Sequence, residues 1–406
     1  MKKIYILIIA ICISGMVNGQ WVAQNSGITE SLTSVHFADT NIGYAVGING
    51  IIVKTTNGGL NWSSQNSGVS DILYSVWNID SSKIIAVGGN WIPYDNTSTS
   101  IILITNNGGI FWDSIILSTN SILYSVFFLN SDTGFIAGEN GTIIKTINGG
   151  DTWFIQNSGT TKTLNSIYFI DNLNGYAVGG FNAFTNVILK TTNGGTTWNS
   201  LNPGFSSSLN SVFFNDVNTG YIVGFNGKIL KTINGGSTWV NQSSGTINNL
   251  SSVFFTSNST GFIVNGNGLL KTNDGGINWI EENIGCIEML HSINFINNNI
   301  GYIVGSNGKI LKTTNGSGVG ISEKPSINNL TLSPNPATNS LTLNLSQLKN
   351  LQNTTVSIYD IQGKLLLQQN RLQPQTELDI SGFAKGIYII KVINEKETMQ
   401  SKFIKE

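Results

Sequence analysis

A single recurring phrase constrains the fold of this chain more than any other feature. Six copies of Thr-x-Asn/Asp-Gly-Gly-x-x-Trp end at Trp62, Trp112, Trp153, Trp198, Trp239 and Trp279. The spacing between successive Trp residues is 50, 41, 45, 41 and 40 residues, and a seventh copy stops at Gly316 without its Trp. A period of about 40 residues indicates supersecondary units that bury a core by stacking on their neighbours.

Each unit contains four segments with strand character. In the unit that starts at Leu209 these are LNSVFF, YIVG, KILKT and STWVNQSS, which we name strands A to D. The C–D connection holds Asn-Gly, a strong hairpin signal, and we expect positive φ at both of its central residues. Four-stranded units of this length are typical of β-propeller blades. Seven strands A begin at Leu32, Leu73, Leu123, Leu164, Leu209, Leu250 and Leu290.

The two ends of the repeat region complement each other. WVAQNSG, from Trp21 to Gly27, repeats the strand D sequence WFIQNSG of Trp153 to Gly159, but no unit precedes it. The seventh unit has strands A to C and no strand D. We therefore expect an all-β chain in which residues 20–316 form a seven-bladed propeller, with the N-terminal strand closing the last blade.

The repeated phrase resembles the Asp-box of bacterial neuraminidase (BNR) repeats. The longer unit, with Gly-Tyr-x-Val-Gly before the phrase, resembles the propellers of photosystem II stability and assembly factors. The resemblance implies a propeller over residues 21–316. We expect the Asn or Asp of each phrase to cap its own turn, the Gly-Gly pair to supply positive φ, the Thr to bond the loop and the Trp to pack between blades. These turn residues are Asn57, Asn107, Asn148, Asn193, Asn234 and Asp274.

A lysine precedes most of these turns. We expect its ammonium group to be solvated, so that the lysines form a charged ring. The lysines are Lys54, Lys145, Lys190, Lys231, Lys271 and Lys312.

Composition changes after residue 316. Residues 317–326 have the character of a linker, and alternating apolar residues in 327–406 predict a small Ig-like β-sandwich. The tail resembles the type A C-terminal sorting domain of the type IX secretion system of Bacteroidota. The matching positions include Pro334, Asn335, Pro336, Gly363 and Gly386. This resemblance implies a partner, the type IX secretion machinery, and export across the outer membrane.

The first residues fit the same route. Residues 1–19 have a dibasic start, an apolar run and small residues at the end, as in a secretory signal peptide. No later apolar run is long enough to span a membrane. Only 11% of residues are charged and the net charge is −1, which gives no indication of a nucleic-acid partner. We expect a secreted or cell-surface protein.

The sequence contains no recognisable catalytic motif. The resemblance to neuraminidases implies an arginine triad, but the one arginine of the chain is Arg371, in the tail. Two suitably spaced carboxylates would suffice for another glycoside hydrolase. The candidates on the face away from the repeated turns are Glu30, Asp71, Asp95, Glu139 and Glu288. We expect no enzyme activity, cofactor or metal, with a secreted glycoside hydrolase and an assembly-factor-like scaffold as the alternatives.

Candidate ligand residues lie where the repeat is broken. The B–C loops Gly88 to Ser100 and Gly179 to Asn186 are longer than the others and carry Trp91, Tyr94, Phe181 and Phe184. The second residue of strand A adds Tyr74, Tyr124 and His291, although His291 also suits a purely structural slot. Exposed aromatic rings suit stacking on sugars or anchoring of a protein partner. We therefore expect non-catalytic binding of a glycan or a surface protein.

Overall fold

The computed structural model describes residues 21–95, 97–117, 119–181, 185–202, 204–316, 331–345, 351, 354–360, 364–370, 372–393 and 398–406. These residues fall into two compact units, the repeat region and the tail. The predicted signal peptide, the predicted linker, Phe184 and Gly363 lie outside the described residues. The domain boundaries given above stay predictions.

The strands of the repeat region follow one another in sets of four after a short first strand, β1 (Val22–Gln24). Unit 1 contains β2 (Leu32–Phe37), β3 (Gly43–Gly47), β4 (Ile52–Thr55) and β5 (Ser63–Gln65). Unit 2 contains β6 (Leu73–Asn78), β7 (Ile84–Gly88), the hairpin β8 (Trp91–Ile92) and β9 (Thr97–Ser98), then β10 (Ile101–Thr105) and β11 (Asp113–Ile116). Unit 3 contains β12 (Leu123–Phe128), β13 (Gly134–Gly138), β14 (Ile143–Thr146) and β15 (Phe154–Gln156).

The remaining units keep the same order. Unit 4 contains β16 (Leu164–Phe169), β17 (Gly175–Gly179), β18 (Val187–Thr191) and β19 (Asn199–Leu201). Unit 5 contains β20 (Leu209–Phe214), β21 (Gly220–Gly224), β22 (Ile229–Thr232) and β23 (Val240–Gln242). Unit 6 contains β24 (Leu250–Phe255), β25 (Gly261–Asn265), β26 (Gly268–Thr272) and β27 (Ile280–Glu282). Unit 7 contains β28 (Leu290–Phe295), β29 (Gly301–Gly305) and β30 (Ile310–Thr313).

Within the described residues 21–316, the strands form seven four-stranded sheets and the two-stranded β8–β9 hairpin. Neighbouring strands are antiparallel and follow chain order, except that β1 completes the sheet of unit 7. Val22 pairs with Lys312, and Gln24 pairs with Ile310. The orphan strand at the start of the repeat region is therefore the outer strand of its last sheet.

Burial explains the sequence pattern of strands A and B. The first, fourth and sixth residues of strand A are buried in all seven units, whereas strand B is buried along its whole length. Strand B is covered on both faces, so it is apolar throughout rather than alternating. In unit 5 the glycine that opens strand B is a steric requirement, because a Cβ on Gly220 would lie 2.4 Å from the Phe214 ring; in unit 2, where Asn78 replaces the Phe, strand B opens with Ile84.

The repeated turn is held by its own side chains. In unit 1, Thr55 Oγ1 accepts from the Gly59 N–H at 2.8 Å, and Asn57 Oδ1 accepts from the Asn61 N–H at 3.0 Å. Trp62 is buried edge-on against Phe37, with ring centroids 5.9 Å apart. Equivalent acceptors in the other complete turns are Asn107, Asn148, Asn193, Asn234 and Asp274. These contacts agree with a structural role for the phrase.

The expectation that the Asn of the Asn-Gly pair takes positive φ was wrong, whereas the Gly-Gly pair supplies positive φ as expected. Positive φ falls on the two glycines, 64° at Gly58 and 83° at Gly59, and not on the Asn. The Asn side chain is needed to cap the turn, which leaves the left-handed conformation to residues without a Cβ. Asn-Gly pairs with positive φ at both residues occur instead in B–C turns, as at Asn49 (56°) and Gly50 (67°).

The expected ring of solvated lysines is also wrong. Lys231 Nζ donates to the carbonyl of Gly275, in the repeated turn of the next unit, at 2.7 Å. Tyr221 donates its hydroxyl to the same oxygen at 2.7 Å, and the ammonium lies 5.7 Å from the centre of the Tyr221 ring. These lysines are half-buried clamps between units, because each one supplies a charge-assisted bond to a carbonyl that the turn itself leaves unused. Equivalent bonds are made by Lys54, Lys145, Lys190 and Lys312.

Lys271 differs from the other lysines of this position. It is buried and lies 3.6 Å from the Glu282 carboxylate of its own unit, over the Phe262 ring.

The tail has two sheets of its own. Its strands are β31 (Thr331–Ser333), β32 (Ser340–Asn344), β33 (Thr355–Asp360), β34 (Leu365–Asn370), β35 (Gln375–Asp379), β36 (Gly386–Ile393) and β37 (Thr398–Lys405). The sheet orders are β31-β32-β35 and β34-β33-β36-β37. Both sheets contribute to one core, which includes Leu343, Ile358 and Phe403.

Two sequence motifs of the tail meet in the structure. Asn335 Oδ1 accepts from the Ile404 N–H at 2.9 Å, and Asn335 Nδ2 donates to the Lys402 carbonyl at 3.3 Å. Ala337 continues the contact by donating its N–H to the Ile404 carbonyl at 2.8 Å. The Pro334–Asn335–Pro336 segment therefore fastens the final strand, whereas Gly386 opens its neighbour β36 and pairs with Lys405.

Candidate functional site

The connections of the repeat region gather at two opposite ends of each sheet. At one end, the C–D turn packs on the A–B turn, as where Gly58 N–H donates to the Asn41 carbonyl at 2.9 Å. At the other end, B–C turns meet D–A connections, as where Gly227 N–H donates to the Asn248 carbonyl at 2.7 Å. We call this second end the loop face. It carries the two segments that interrupt the repeat.

The long B–C loop of unit 2 is an ordered hairpin. Trp91 pairs with Ser98, and Ile92 pairs with Thr97. Trp91 is 52% exposed, and Tyr94 at the hairpin tip is 99% exposed. Two aromatic rings are therefore displayed on a short β-element, as the sequence predicted for this position.

Two carboxylates hold the base of this hairpin. Ser98 Oγ donates to Glu139 Oε2 at 2.7 Å, and Thr99 Oγ1 donates to Asp71 Oδ1 at 2.7 Å. Glu139 also accepts from the Ile122 N–H at 3.0 Å and from the Tyr124 hydroxyl at 3.2 Å. Glu139 belongs to unit 3, so the hairpin of unit 2 is fastened across the unit boundary.

Tyr74 and Tyr124 lie together beside this anchor. Their ring centroids are 4.9 Å apart in an edge-to-face arrangement, and both side chains are half-buried. Burial, followed by the charge of Glu139, raises the pKa of both phenols. Both tyrosines therefore stay neutral hydrogen-bonding groups at physiological pH. We call Tyr74, Trp91, Tyr94, Tyr124 and Glu139 the hairpin site.

The long B–C loop of unit 4 is a separate feature. Phe181 is 76% exposed, and Thr185 Oγ1 braces it by accepting from its N–H at 2.8 Å and donating to its carbonyl at 2.7 Å. Among the described residues, no contact joins Phe181 to the hairpin site. Phe184 lies outside the described residues.

The other loop-face carboxylates differ in their surroundings. Glu288 makes an ion pair with Lys309 at 2.9 Å and accepts from Cys286 Sγ at 3.3 Å. Hydrogen bonding to Lys309 lowers the pKa of Glu288 to about 2. Glu30 accepts from the Thr29 N–H at 3.2 Å, and Asp95 is exposed at the hairpin tip.

His291 lies in unit 7, next to Ser306, with 3.2 Å between Nε2 and Oγ. Burial lowers its pKa. No group of three or more His, Cys, Asp or Glu side chains suited to a metal ion occurs in the described ranges. None of the helices in those ranges is long and apolar enough to cross a bilayer.

Sequence reasoning missed a chain of rings along the A strands. The fifth residue of strand A is aromatic or histidine in six successive units, and neighbouring ring centroids lie 4.2 to 5.3 Å apart. A comparison of the seven A strands at this one position would have revealed it. The residues are His36, Trp77, Phe127, Tyr168, Phe213 and Phe254.

Comparison with known families identifies both parts of the chain. Residues 104–206 and 203–279 match the model of the photosynthesis system II assembly factor YCF48. Residues 331–406 match the model of a secretion system C-terminal sorting domain. The chain therefore combines YCF48-like repeats with a type IX sorting tail. Both resemblances predicted from the sequence are confirmed.

Solved structures show the fold of the repeat region. YCF48 bound to D1 peptide is 19% identical with a TM-score of 0.60, and the match covers 73% of this chain and 97% of that one. YCF48 from Cyanidioschyzon merolae is 19% identical with a TM-score of 0.60, covering 72% and 98%. The GH74 enzyme of Niastella koreensis is 16% identical with a TM-score of 0.58, covering 71% and 53%. The described residues are thus all-β, and the repeat region has a propeller-like fold.

One curated relative matches a short stretch. A funoran endo-beta-hydrolase of Wenyingzhuangia aestuarii is 34% identical over 76 residues, which is 18% of this chain. This chain spans only a tenth of the length of that enzyme.

Proposed function

We propose that this protein is a secreted or cell-surface binding protein without catalytic activity, whose ligand, a glycan or a surface protein, docks on the loop face. The observation that carries this proposal is the hairpin site, in which Trp91 and Tyr94 are exposed on a hairpin that two carboxylates hold in place. Rigid, exposed aromatic rings give a large contact area for little loss of conformational entropy on binding.

The finer architecture belongs to this proposal. The seven sheets are blades of one closed ring, in which β1 joins the last sheet and Tyr302 of unit 7 donates its hydroxyl to the Gly58 carbonyl of unit 1 at 2.8 Å. The tail is an Ig-like sandwich that directs residues 20–316 through the type IX machinery, after residues 1–19 have served as the signal peptide. Removal of residues 331–406 should retain the protein in the cell, while the propeller remains folded.

The carboxylates of the loop face support binding over catalysis. Asp71 and Glu139 accept hydrogen bonds that hold the hairpin, and Glu288 is paired with Lys309. A general acid needs a raised pKa, whereas the pKa of Glu288 is lowered to about 2.

The experiment for this proposal is binding of the purified secreted protein to a glycan array and to a panel of cell surfaces. We expect Trp91→Ala with Phe181→Ala to abolish the strongest signal. The matched control is Phe154→Ala, since Phe154 is equally exposed, at 54%, on the outer strand β15. An unchanged signal in the double variant would remove the site assignment.

A glycoside hydrolase is the second candidate, because the fold resembles that of the GH74 enzyme of Niastella koreensis. Asp95 and Glu139 are the carboxylates to test, since Asp95 lies at the tip of the unit 2 hairpin and Glu139 of the adjacent unit 3 holds its base. A hydrolase would release reducing ends from a polysaccharide, and Glu139→Gln would abolish the release.

An assembly-factor-like scaffold is the third candidate. YCF48 has been solved with a D1 peptide, so a peptide partner is compatible with this fold. A protein ligand on the surface panel, with no signal on the glycan array, would favour this candidate.

A further inference from the structure

The loop connections around the hairpin site contain acidic residues and no basic ones. Residues 66–72, 89–100, 117–122 and 139–142 include Asp71, Asp95 and Glu139 but neither lysine nor arginine. A sulfated or carboxylated ligand would meet only negative charge there. Like-charge contacts oppose association, and they do so more strongly where water is excluded.

The two inner carboxylates are already engaged. Glu139 accepts three hydrogen bonds, and Asp71 accepts from Thr99. All of these donors are neutral, and Glu139 has about one of its four acceptor positions left for an incoming cation. This arrangement favours a ligand that is bound by ring faces and neutral hydrogen-bonding groups.

The aromatic rings and hydroxyl groups supply that kind of contact. Trp91 and Tyr94 are exposed on the hairpin, and the neutral phenols of Tyr74 and Tyr124 lie half-buried beside Glu139, which holds the hairpin. Sugars present apolar ring faces and hydroxyl groups together, which matches amphipathic aromatic side chains with a polar tip.

We propose that the hairpin site binds an uncharged polysaccharide and that Glu139 is the positioning residue that holds its aromatic hairpin. This inference rests on the proposed function and narrows its ligand. Glu139 acts through Ser98, to which it is bonded at 2.7 Å, and Ser98 pairs with Trp91 across the hairpin.

The test is affinity electrophoresis of the full secreted chain in gels that contain neutral polysaccharides, sulfated or carboxylated polysaccharides, or no polymer. Poly-lysine in a pull-down represents a cationic ligand. We expect retention by at least one neutral polysaccharide, with less than a twofold change between low salt and 0.5 M NaCl, because no charge pairing is involved. Trp91→Ala should weaken retention at least tenfold, and Phe154→Ala should leave it unchanged.

Variants of Glu139 separate positioning from charge. Glu139→Ala removes the acceptor of three donors and should weaken retention at least fivefold. Glu139→Gln keeps one acceptor oxygen for Ser98 and Ile122, and its amide can face a reversed Tyr124 hydroxyl, so it should restore most of the affinity. Circular dichroism and thermal melting of each variant distinguish a loosened hairpin from loss of the fold.

Each result decides one claim. Retention only by charged polysaccharides, or only by poly-lysine, would overturn the inferred ligand class and leave the proposed function standing. Equal retention of wild type and Glu139→Ala would overturn the positioning role. If neither the polymers nor the cell-surface panel retained the protein, the proposed function itself would fail.

Discussion

The lysine clamp between neighbouring units gives the sharpest prediction about stability. Lys231→Met keeps most of the apolar stem and removes the ammonium group that bonds the Gly275 carbonyl at 2.7 Å. A hydrogen bond from a charged donor contributes about 1.5 to 3 kcal/mol, and a cation–π contact at a partly exposed position contributes about 0.5 to 1 kcal/mol. The Gly275 carbonyl keeps its bond from Tyr221, so no orphaned acceptor adds to the loss.

The cost of burying the cation offsets part of this gain. Burial lowers the pKa of the equivalent lysines Lys54 and Lys312, which shows that the charged form is partly desolvated in this environment. We therefore expect Lys231→Met to reduce the free energy of unfolding by about 2 kcal/mol. Equilibrium denaturation followed by tryptophan fluorescence measures this, because every unit contains a buried or half-buried Trp.

The matched control is Lys162→Met. Lys162 is exposed and, among the described residues, its ammonium bonds one loop carbonyl, that of Asn186, at 2.8 Å. Its loss should change the free energy of unfolding by less than about 0.5 kcal/mol. Equal effects of Lys231→Met and Lys162→Met would show that the Lys231 ammonium is solvated and would refute the clamp.

The same measurement tests ring closure. Lys312 of unit 7 bonds the Gly58 carbonyl of unit 1 at 2.6 Å, across the junction between the last and the first sheet. Lys312→Met should cost as much as Lys231→Met if that junction forms in solution. A cost near zero for Lys312→Met, beside about 2 kcal/mol for Lys231→Met, would contradict a closed ring.

Three further predictions concern titration and the tail. Burial lowers the pKa of His36 from 6.5 to about 4, so the unfolded chain takes up this proton first. Stability should therefore fall by about 3 kcal/mol between pH 6.5 and 4, and His36→Gln should remove that fall in denaturation curves. Glu288 has a pKa lowered from 4.5 to about 2 by Lys309, so the advantage of wild type over Glu288→Gln should be full above pH 4.5 and vanish towards pH 2. Asn335→Ala should cost the final strand about 1 kcal/mol, which gives about fivefold faster amide exchange near Ile404 and weaker secretion; unchanged exchange would refute the contact.

The repeat made much of the architecture predictable. A recurring Asn-Gly-Gly turn and a Trp at constant spacing determine where strands C and D meet, and the unmatched strand D sequence after Trp21 indicates its pairing with unit 7. The turn and the strand pairing depend on residues that are close in sequence, and each copy of the repeat contains the same residues at these positions. The hairpin of unit 2 was likewise visible as an interruption of the period.

Contacts between units were less predictable. Lys231 bonds a backbone carbonyl 44 positions later. Every residue has a backbone carbonyl, so the residue type does not show which one accepts this bond. The contact between unit 2 and unit 3 was equally unpredictable. In unit 2, Ile85 stands at the position of Tyr221 and Ile104 at the position of Lys231, so the clamp is absent there. There, Lys83 approaches the next unit instead and pairs with Asp151 at 3.0 Å.

The hydrogen bond by which Glu139 holds the hairpin could not be predicted from the sequence either. Glu139 and Ser98 belong to different units and lie at positions that the repeat does not share. Their contact depends on the path of one inserted loop. The sequence showed both residues but gave no signal that they meet.

The central claim is that the loop face binds a ligand without cleaving it. The most direct measurement incubates the purified secreted protein with the polysaccharide that retains it most strongly, and follows bound protein and released reducing ends in the same samples. We predict stable retention that depends on Trp91 and a reducing-end signal equal to that of the protein-free control. Release of reducing ends that grows with time and with protein, and that is lost in Glu139→Gln, would contradict the account and identify a hydrolase.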